Sequence, residues 1–181
     1  MRRSKLLSLA GIFIASLGLI AAVSAQSSVA PEAERVAKVY MTAFFAGDVR
    51  TAADLTDPKT LERTRETFFA ELVKVTDPDT EKNILANVGL ARTTVELSKV
   101  DAKTLYIAIT ESEHRINPQV FETMRRSRVE SLGSVPNPAG GVTVQARILA
   151  PASAGAKAST KEFGLLMRQV LGDWKVVGNM P

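Results

Sequence analysis

The chain contains no cysteine and only one histidine, His114, among its 181 residues. Without cysteine it can form no disulfide bond, thiol nucleophile, thiolate metal site or lipid-modified N-terminal cysteine. A single histidine also leaves the usual ligand sets of zinc incomplete. The sequence has no glycine-rich phosphate-binding loop and no Gly-x-Ser-x-Gly nucleophile motif. We therefore expect neither a metal site nor a cofactor.

The first 25 residues have the composition of a cleavable signal peptide. Arg2, Arg3 and Lys5 form a basic start, an apolar run follows, and Val23-Ser24-Ala25 offers small residues to a signal peptidase. The apolar run is short for a bilayer, which favours cleavage before Gln26 over retention as a membrane anchor. The paired arginines also fit twin-arginine export, although the strongly apolar run favours the general route. The sequence thus predicts a periplasmic or secreted protein with no stable membrane anchor after cleavage.

Positive charge is concentrated in that leader. It carries three of the 23 basic residues and none of the 19 acidic ones, so the exported chain would keep 20 basic side chains and a net charge of +1. A nearly neutral domain gives no electrostatic support for nucleic-acid binding. Residues 26–181 are long enough for a single domain held together by core packing.

Apolar side chains at three- and four-residue spacing predict helices in the first half of this domain. The first helix runs from Pro31 to Gly47, and a short second helix covers residues 49–55. Asp57-Pro58 and Asp77-Pro78 each place a capping carboxylate before a proline, which predicts a further helix after both. The buried stripe of the first helix consists of Val36, Val39, Tyr40, Ala43 and Phe44.

Farther along the chain, apolar side chains recur at every second residue, a pattern that predicts strands. Residues 93–98 and 104–109 alternate in this way and form one predicted hairpin. A helix is then expected from residue 118 to Leu132, ended by Gly133, and a loop over residues 134–141. We then expect a strand from Val142 to Leu149, followed by a low-complexity loop over residues 151–159.

The C-terminal segment from Lys161 to Met180 carries the most specific hairpin signal. Two apolar runs flank Gly172-Asp173, a pair that accepts the positive φ angles of tight hairpin turns. The only tryptophan, Trp174, follows this turn, and we expect its ring to cover the apolar face of a sheet. An isolated hairpin is marginal in water, so these strands must join others.

Helices followed by strands indicate an α+β fold, with N-terminal helices packed on a curved, mostly antiparallel sheet in a single domain. Two segments, VAKVYMTAFFAGDVRTAADL and GLLMRQVLGDWKVVGNM, resemble the nuclear transport factor two-like fold, a superfamily that includes ketosteroid isomerases and polyketide cyclases. The resemblance implies a cone between the sheet and the first helices, which holds ligand or substrate in the enzymatic relatives. The helices predicted within 57–88 and at 118–132 depart from the usual order of that fold.

Four residues are candidate ligand contacts: Tyr40, Glu111, Glu113 and Trp174. In isomerase-like relatives a tyrosine of the first helix helps to bind an oxyanion, and the resemblance implies this role for Tyr40. A buried structural tyrosine is the alternative. If the strand at 104–109 continues in phase, Glu111 and Glu113 lie together on its apolar side, at the lip of the cone. If that strand ends before them, both are solvated.

Three arginines, Arg125, Arg126 and Arg128, cluster on the predicted helix at 118–132. They could bind an anionic partner or a lipid head group. The alternative is an ordinary solvated helix face, balanced by Glu122 and Glu130.

The leading hypothesis is a non-catalytic exported domain that binds a small apolar ligand or a protein partner through its cone or sheet. The alternative is an isomerase- or cyclase-like enzyme, which needs an acidic general base beside a hydrogen-bond donor in an apolar cavity. The sequence offers only Glu111 or Glu113 for that base, so binding is preferred. The open sheet face is also a candidate homodimer interface.

Overall fold

Helices occupy the first part of the domain and a meander of strands occupies the second. The structure, a computed structural model, describes residues 30–152 and 157–179. The predicted signal peptide and the middle of the predicted loop at 151–159 lie outside the described residues. The elements are α1 Pro31–Ala46, α2 Val49–Asp54, α3 Pro58–Leu72, α4 Pro78–Val88, α5 Thr94–Leu97, α6 Ala102–Ile116, α7 Pro118–Arg126, β1 Arg128–Pro136, β2 Val142–Ala150, β3 Ser159–Val170 and β4 Asp173–Asn179.

The Asp-Pro pairs begin α3 and α4 as predicted. The Asp57 carboxylate accepts a hydrogen bond from the Lys59 amide at 3.1 Å, and the Asp77 carboxylate accepts one from the Thr80 amide at 3.1 Å. Each proline takes the first helical position, where its missing N–H leaves no partner unsatisfied. Gly47 ends α1 in the left-handed conformation, with φ at 85°.

The four strands form one antiparallel sheet in the order β1-β2-β3-β4. Each strand pairs with its neighbour in sequence, so short hairpin connections are sufficient. The sheet is curved and the helices pack on it, which confirms the predicted α+β fold. The strand predicted at 142–149 is β2, which extends one residue further.

The C-terminal hairpin is confirmed, but its turn lies one residue earlier than predicted. Val170 pairs with Asp173, so the two loop residues are Leu171 and Gly172. Their φ angles are 53° and 94°. A two-residue loop with positive φ at both positions matches the right-handed twist of the flanking strands. Glycine and aspartate accept positive φ more readily than leucine does, so the sequence pattern favours a turn one residue later than the one that forms.

The hairpin predicted at 93–98 and 104–109 is wrong, because this segment forms α5 and α6. Leu105 and Ile109 are four residues apart, a spacing that places them on one face of a helix as well as of a strand. Both are buried in a core with Phe68 of α3 and Leu85 of α4. In a helix, the backbone N–H and C=O groups of this segment bond to one another. In a strand, they would need a neighbouring strand as partner.

The helix predicted at 118–132 is also wrong beyond Arg126. Ser127 takes an extended conformation, and residues from Arg128 onward form β1 and pair with β2. Gly133, predicted to stop a helix, lies beside a register shift in β1 with φ at 113°. A β-bulge with a left-handed glycine explains this position. The predicted loop at 134–141 is correspondingly reduced to 137–141.

One face of the sheet packs on α1 and forms the main core. Val144, Leu165 and Met167 are at most 1% exposed there and meet Ala37 and Met41 of α1. At these positions, side chains fill the space between α1 and the sheet.

Residues 55–57 close the β4 edge of the sheet. The Val176 amide donates to the Leu55 carbonyl at 2.8 Å, and the Asp57 amide donates to the Val176 carbonyl at 2.8 Å. The Thr60 hydroxyl donates to the Val177 carbonyl at 2.7 Å. This edge is therefore protected from pairing with another strand.

Candidate functional site

Tyr40 and Trp174 reach the same core from opposite sides. Tyr40 projects from α1 and stacks on Phe44, with ring centroids 6.2 Å apart. Trp174 projects from β4 and is half-buried against the core between α1 and the sheet. This confirms the expectation that the indole covers the apolar face. The structure thus brings two of the four predicted residues to one core, and their ligand-binding role stays a prediction.

A second tyrosine, Tyr106 of α6, approaches Tyr40. The two hydroxyls lie close enough to affect each other's pKa, and both are also affected by Thr56, which follows α2. Thr56 and Tyr106 are 4% and 2% exposed. The Thr56 hydroxyl also donates to the Ala52 carbonyl at 2.9 Å. We call Tyr40, Thr56 and Tyr106 the tyrosine cluster.

The tyrosine cluster is a set of neutral hydrogen-bonding groups. Burial raises the pKa of Tyr40 well above its usual value of 10, and the nearby Tyr106 acts in the same direction. Burial also raises the pKa of Tyr106, while the nearby hydroxyls of Tyr40 and Thr56 oppose that rise. Two protonated phenols can hold a carbonyl or an oxyanion. Proton abstraction needs a base as well as these donors.

Glu111 and Glu113 do not share a face, so the predicted pairing on a strand is wrong. Both lie on α6, where residues two apart are separated by about 200° around the helix axis. Glu111 is exposed, and Glu113 accepts a hydrogen bond from the Asn117 side chain at 3.1 Å. The geometry that motivated a general base at the lip of the cone is therefore not formed by these two residues.

The three arginines predicted on one helix are divided between two elements. Arg125 and Arg126 lie at the end of α7, and Arg128 begins β1. Arg125 pairs with Glu122 at 3.3 Å, and Arg128 pairs with Glu130 at 3.5 Å. Such exposed pairs are typical of a solvated surface. Binding of an anionic partner here stays a prediction.

An open groove of about 600 Å³ lies between the starts of α3 and α6. Cations and anions are equally represented among its charged lining residues, so it favours neither sign of ligand. The charged lining residues are Lys59, Arg63, Lys103, Glu62, Glu66 and Asp101.

The sheet face opposite α1, which we call the outer face, carries a row of alternating charges across three strands. Glu130 of β1 lies beside Arg147 of β2, and Arg147 lies beside Glu162 of β3. The Arg147 guanidinium donates to Glu162 Oε1 from Nε at 3.0 Å and from Nη2 at 2.5 Å. The side chains of Arg147 and Glu162 are 37% and 42% exposed, so solvent screens this pair.

On one side of the charged row, the outer face has a row with almost no side chains, which we call the flat row. Gln145 lies between Gly133 and Gly164, so this row has only one side chain across three strands. Val135 and Leu166 lie beyond this flat row, whereas Leu149 lies on the other side of the charged row. All three are half-buried and point to the outer face by their register. None of these three belongs to a core cluster formed by the described residues.

Tyr106 and Arg147 are the residues of interest that sequence reasoning missed. Tyr106 lies within residues 104–109, for which the sequence predicts a strand, and there it alternates with Leu105 and Ile107. Its spacing of four from both Ala102 and Thr110, all three buried in α6, was the signal that could have found it. Arg147 and Glu162 are 15 residues apart, and only the register of β2 with β3 brings them together.

Comparison with known proteins gives no guide to the site, because the chain matches no protein-family model and no curated protein or solved structure is significantly similar to it. Within residues 30–152 and 157–179, no helix is long and apolar enough to cross a membrane. The same residues include no group of three or more acidic or histidine side chains that could hold a metal ion.

Proposed function

We propose that this protein is a non-catalytic exported domain that binds a protein partner through the outer face of its sheet. The observation that carries the proposal is the asymmetry of the sheet. Its inner face is packed on α1, whereas Val135, Leu149 and Leu166 on the outer face contribute to no core of the described residues. Each of the three is half-buried, and accessible apolar surface rimmed by polar residues marks sites of protein interaction.

The arrangement of the outer face suits a protein better than a small ligand. Apolar residues on both sides of a charged row combine the apolar and polar surface that protein interfaces contain. In the flat row, Gly133 and Gln145 are half-buried and Gln145 is the only residue with a side chain, so a partner can approach the sheet closely at these two residues. A small apolar ligand would need a concave site, and at Val144, Leu165 and Met167 the inner side of the sheet is already filled.

The enzyme alternative has less support. It requires a base that converges with a hydrogen-bond donor in an apolar cavity. The tyrosine cluster supplies donors, but the two glutamates considered for the base diverge on α6. Binding through the outer face is therefore the better supported function.

Photo-cross-linking from the outer face tests this function. A photoreactive amino acid replaces Gln145 in cells that express the protein, and the matched control carries it at Val73, which is 78% exposed at the end of α3. We expect a discrete protein adduct from position 145 and none from position 73. Leu166→Glu should abolish the adduct, because a buried unpaired carboxylate is costly in an interface, whereas Val73→Glu should not.

The mass of the adduct identifies the partner. Twice the mass of the mature chain would mean a second copy, and any other discrete mass would mean a different protein. No adduct from position 145, or an adduct that persists in Leu166→Glu, would overturn the proposal. An apolar small molecule found by native mass spectrometry together with no adduct would support the small-ligand hypothesis instead.

A further inference from the structure

His114 lies where α1, α6 and α7 meet. Its imidazole stacks on Phe121 of α7, with ring centroids 3.6 Å apart and planes inclined by 28°. On its other side the Phe44 ring of α1 meets it edge-on, with centroids 6.2 Å apart. At Gly47, which ends α1, a side chain would place its Cβ 3.4 Å from His114 Nδ1. The imidazole therefore joins α7 to both neighbouring helices.

One nitrogen of this imidazole is buried without a hydrogen-bond partner. Nε2 is closed off from solvent, and no described group donates to it or accepts from it. A neutral imidazole can leave this nitrogen as an unused acceptor. A protonated imidazole must make it a charged N–H donor, and a buried charge without an acceptor is far more costly.

The charges around His114 come from its own helix and from α7. Glu111, one turn earlier in α6, favours the protonated form, as does the negative end of the helix dipole. Arg125 of α7 opposes it, and α1 meets the ring with Phe44 and Gly47 rather than with a charge. Burial is the largest effect and, with Arg125, lowers the pKa of His114 from its usual value of 6.5.

Helix α7 depends strongly on this contact. It is nine residues long and Phe121 is its only buried residue. A short helix is unstable without tertiary packing, so loss of the Phe121 contact should release it. Ser127 alone separates α7 from β1.

We propose that His114 is a pH-sensitive latch that holds α7 against α1 and α6 while neutral and releases α7 when protonated. The direction follows from proton linkage. Because the docked state binds the proton less readily than the released state, docking is fully favoured above pH 6.5 and weakens as the pH falls below that value. The latch is independent of whether the outer face binds a partner.

Amide hydrogen exchange at about pH 7.5 and about pH 5 tests the latch, with rates corrected for intrinsic exchange. In the wild type, protection of residues 118–126 should fall at the lower pH, by on the order of tenfold for each unit by which the pKa is lowered. The control variant His114→Phe keeps an aromatic ring between Phe44 and Phe121 but cannot be protonated. Its α7 protection should not change between the two pH values.

Two results would overturn the latch. One is unchanged protection of α7 in the wild type at the lower pH. The other is an equal loss of α7 protection in the wild type and in His114→Phe. If His114→Phe does not fold, NMR titration of the wild-type imidazole replaces it. His114 is the only histidine of the sequence, so its ring signals can be assigned without ambiguity. A titration midpoint at or above 6.5 would then contradict the proposal, and a lower midpoint accompanied by shifts in α7 would support it.

Discussion

Leu171 has an unfavourable backbone conformation in the C-terminal hairpin. Its φ angle is 53°, its side chain is fully exposed, and it is the first of the two loop residues before β4. Left-handed geometry costs an ordinary L-residue roughly 1–2 kcal/mol, and asparagine tolerates it better. Because the Leu171 side chain is fully exposed, no packing contact of that side chain offsets this cost.

Leu171→Asn should therefore stabilise the protein by about 0.5–1 kcal/mol, since Asn-Gly is the preferred sequence for this turn. Urea unfolding monitored by Trp174 fluorescence measures the change. Leu171→Ala is the matched control, because alanine shortens the same exposed side chain without favouring positive φ, and it should stay within about 0.5 kcal/mol of the wild type. A loss of stability in Leu171→Asn would show that the turn differs from the one described.

At the level of single elements, α6 shows how a capping residue can outweigh an ambiguous pattern. Asp101 precedes the helix, and its carboxylate accepts a hydrogen bond from the Thr104 amide at 2.9 Å. Alternation at Leu105, Ile107 and Ile109 suggested a strand. Asp101, three residues before Thr104, is a helix-start signal at the same place, and the helix forms.

The cap also makes a prediction about acid stability. Hydrogen bonds from the Thr104 side chain and then from its amide lower the pKa of Asp101 below its usual value of 3.8. The stabilisation of the protein by the ionised Asp101 cap is thus complete above pH 3.8. It is lost as the pH falls through the lowered pKa of Asp101 in the folded protein. Asparagine is an equally good cap that does not titrate. Asp101→Asn should match the wild type near pH 6 and lose less stability than the wild type near pH 3.

Urea midpoints at the two pH values measure this difference. Asp79→Asn is the control, because it removes an exposed acid from the first turn of α4 instead of a capping residue. An Asp101→Asn variant with the same acid sensitivity as the wild type would contradict the linkage.

For the whole molecule, the tyrosine cluster joins two parts of the domain. Tyr40 packs against the core between α1 and the sheet, whereas Tyr106 belongs to a small core formed with Val49, Ala53 and Leu61. Thr56 forms a parallel bridge with Val176 of β4. The hydroxyls of the cluster therefore meet where the sheet core and the helical cores adjoin.

A double-mutant cycle measures this coupling. Tyr40→Phe and Tyr106→Phe should each cost about 1 kcal/mol, because each removes a buried hydroxyl from the polar contacts of the tyrosine cluster. The double variant should cost less than the sum, with a coupling energy of roughly 0.5–1 kcal/mol, since the two hydroxyls are partners. Additive losses in urea unfolding would show that the tyrosines do not interact.

The sequence by itself determined the features that depend on neighbouring residues. These are α1 with its glycine end, the helices that follow Asp57-Pro58 and Asp77-Pro78, and the C-terminal hairpin. Capping, proline geometry and tight turns act over a few residues, so their signals are complete within the segment. The α+β fold class followed from the order of these elements.

Only the tertiary structure decided the features that depend on distant partners. Residues 102–116 became a helix because α3 and α4 bury it. Residues 128–136 became a strand because β2 offers an edge and Glu34 of α1 accepts a hydrogen bond from Ser134 at 2.8 Å. The charged row, the tyrosine cluster and the His114 stack likewise join residues far apart in sequence. Apolar spacing shows that a side chain is buried, but the packing partner determines the element that buries it.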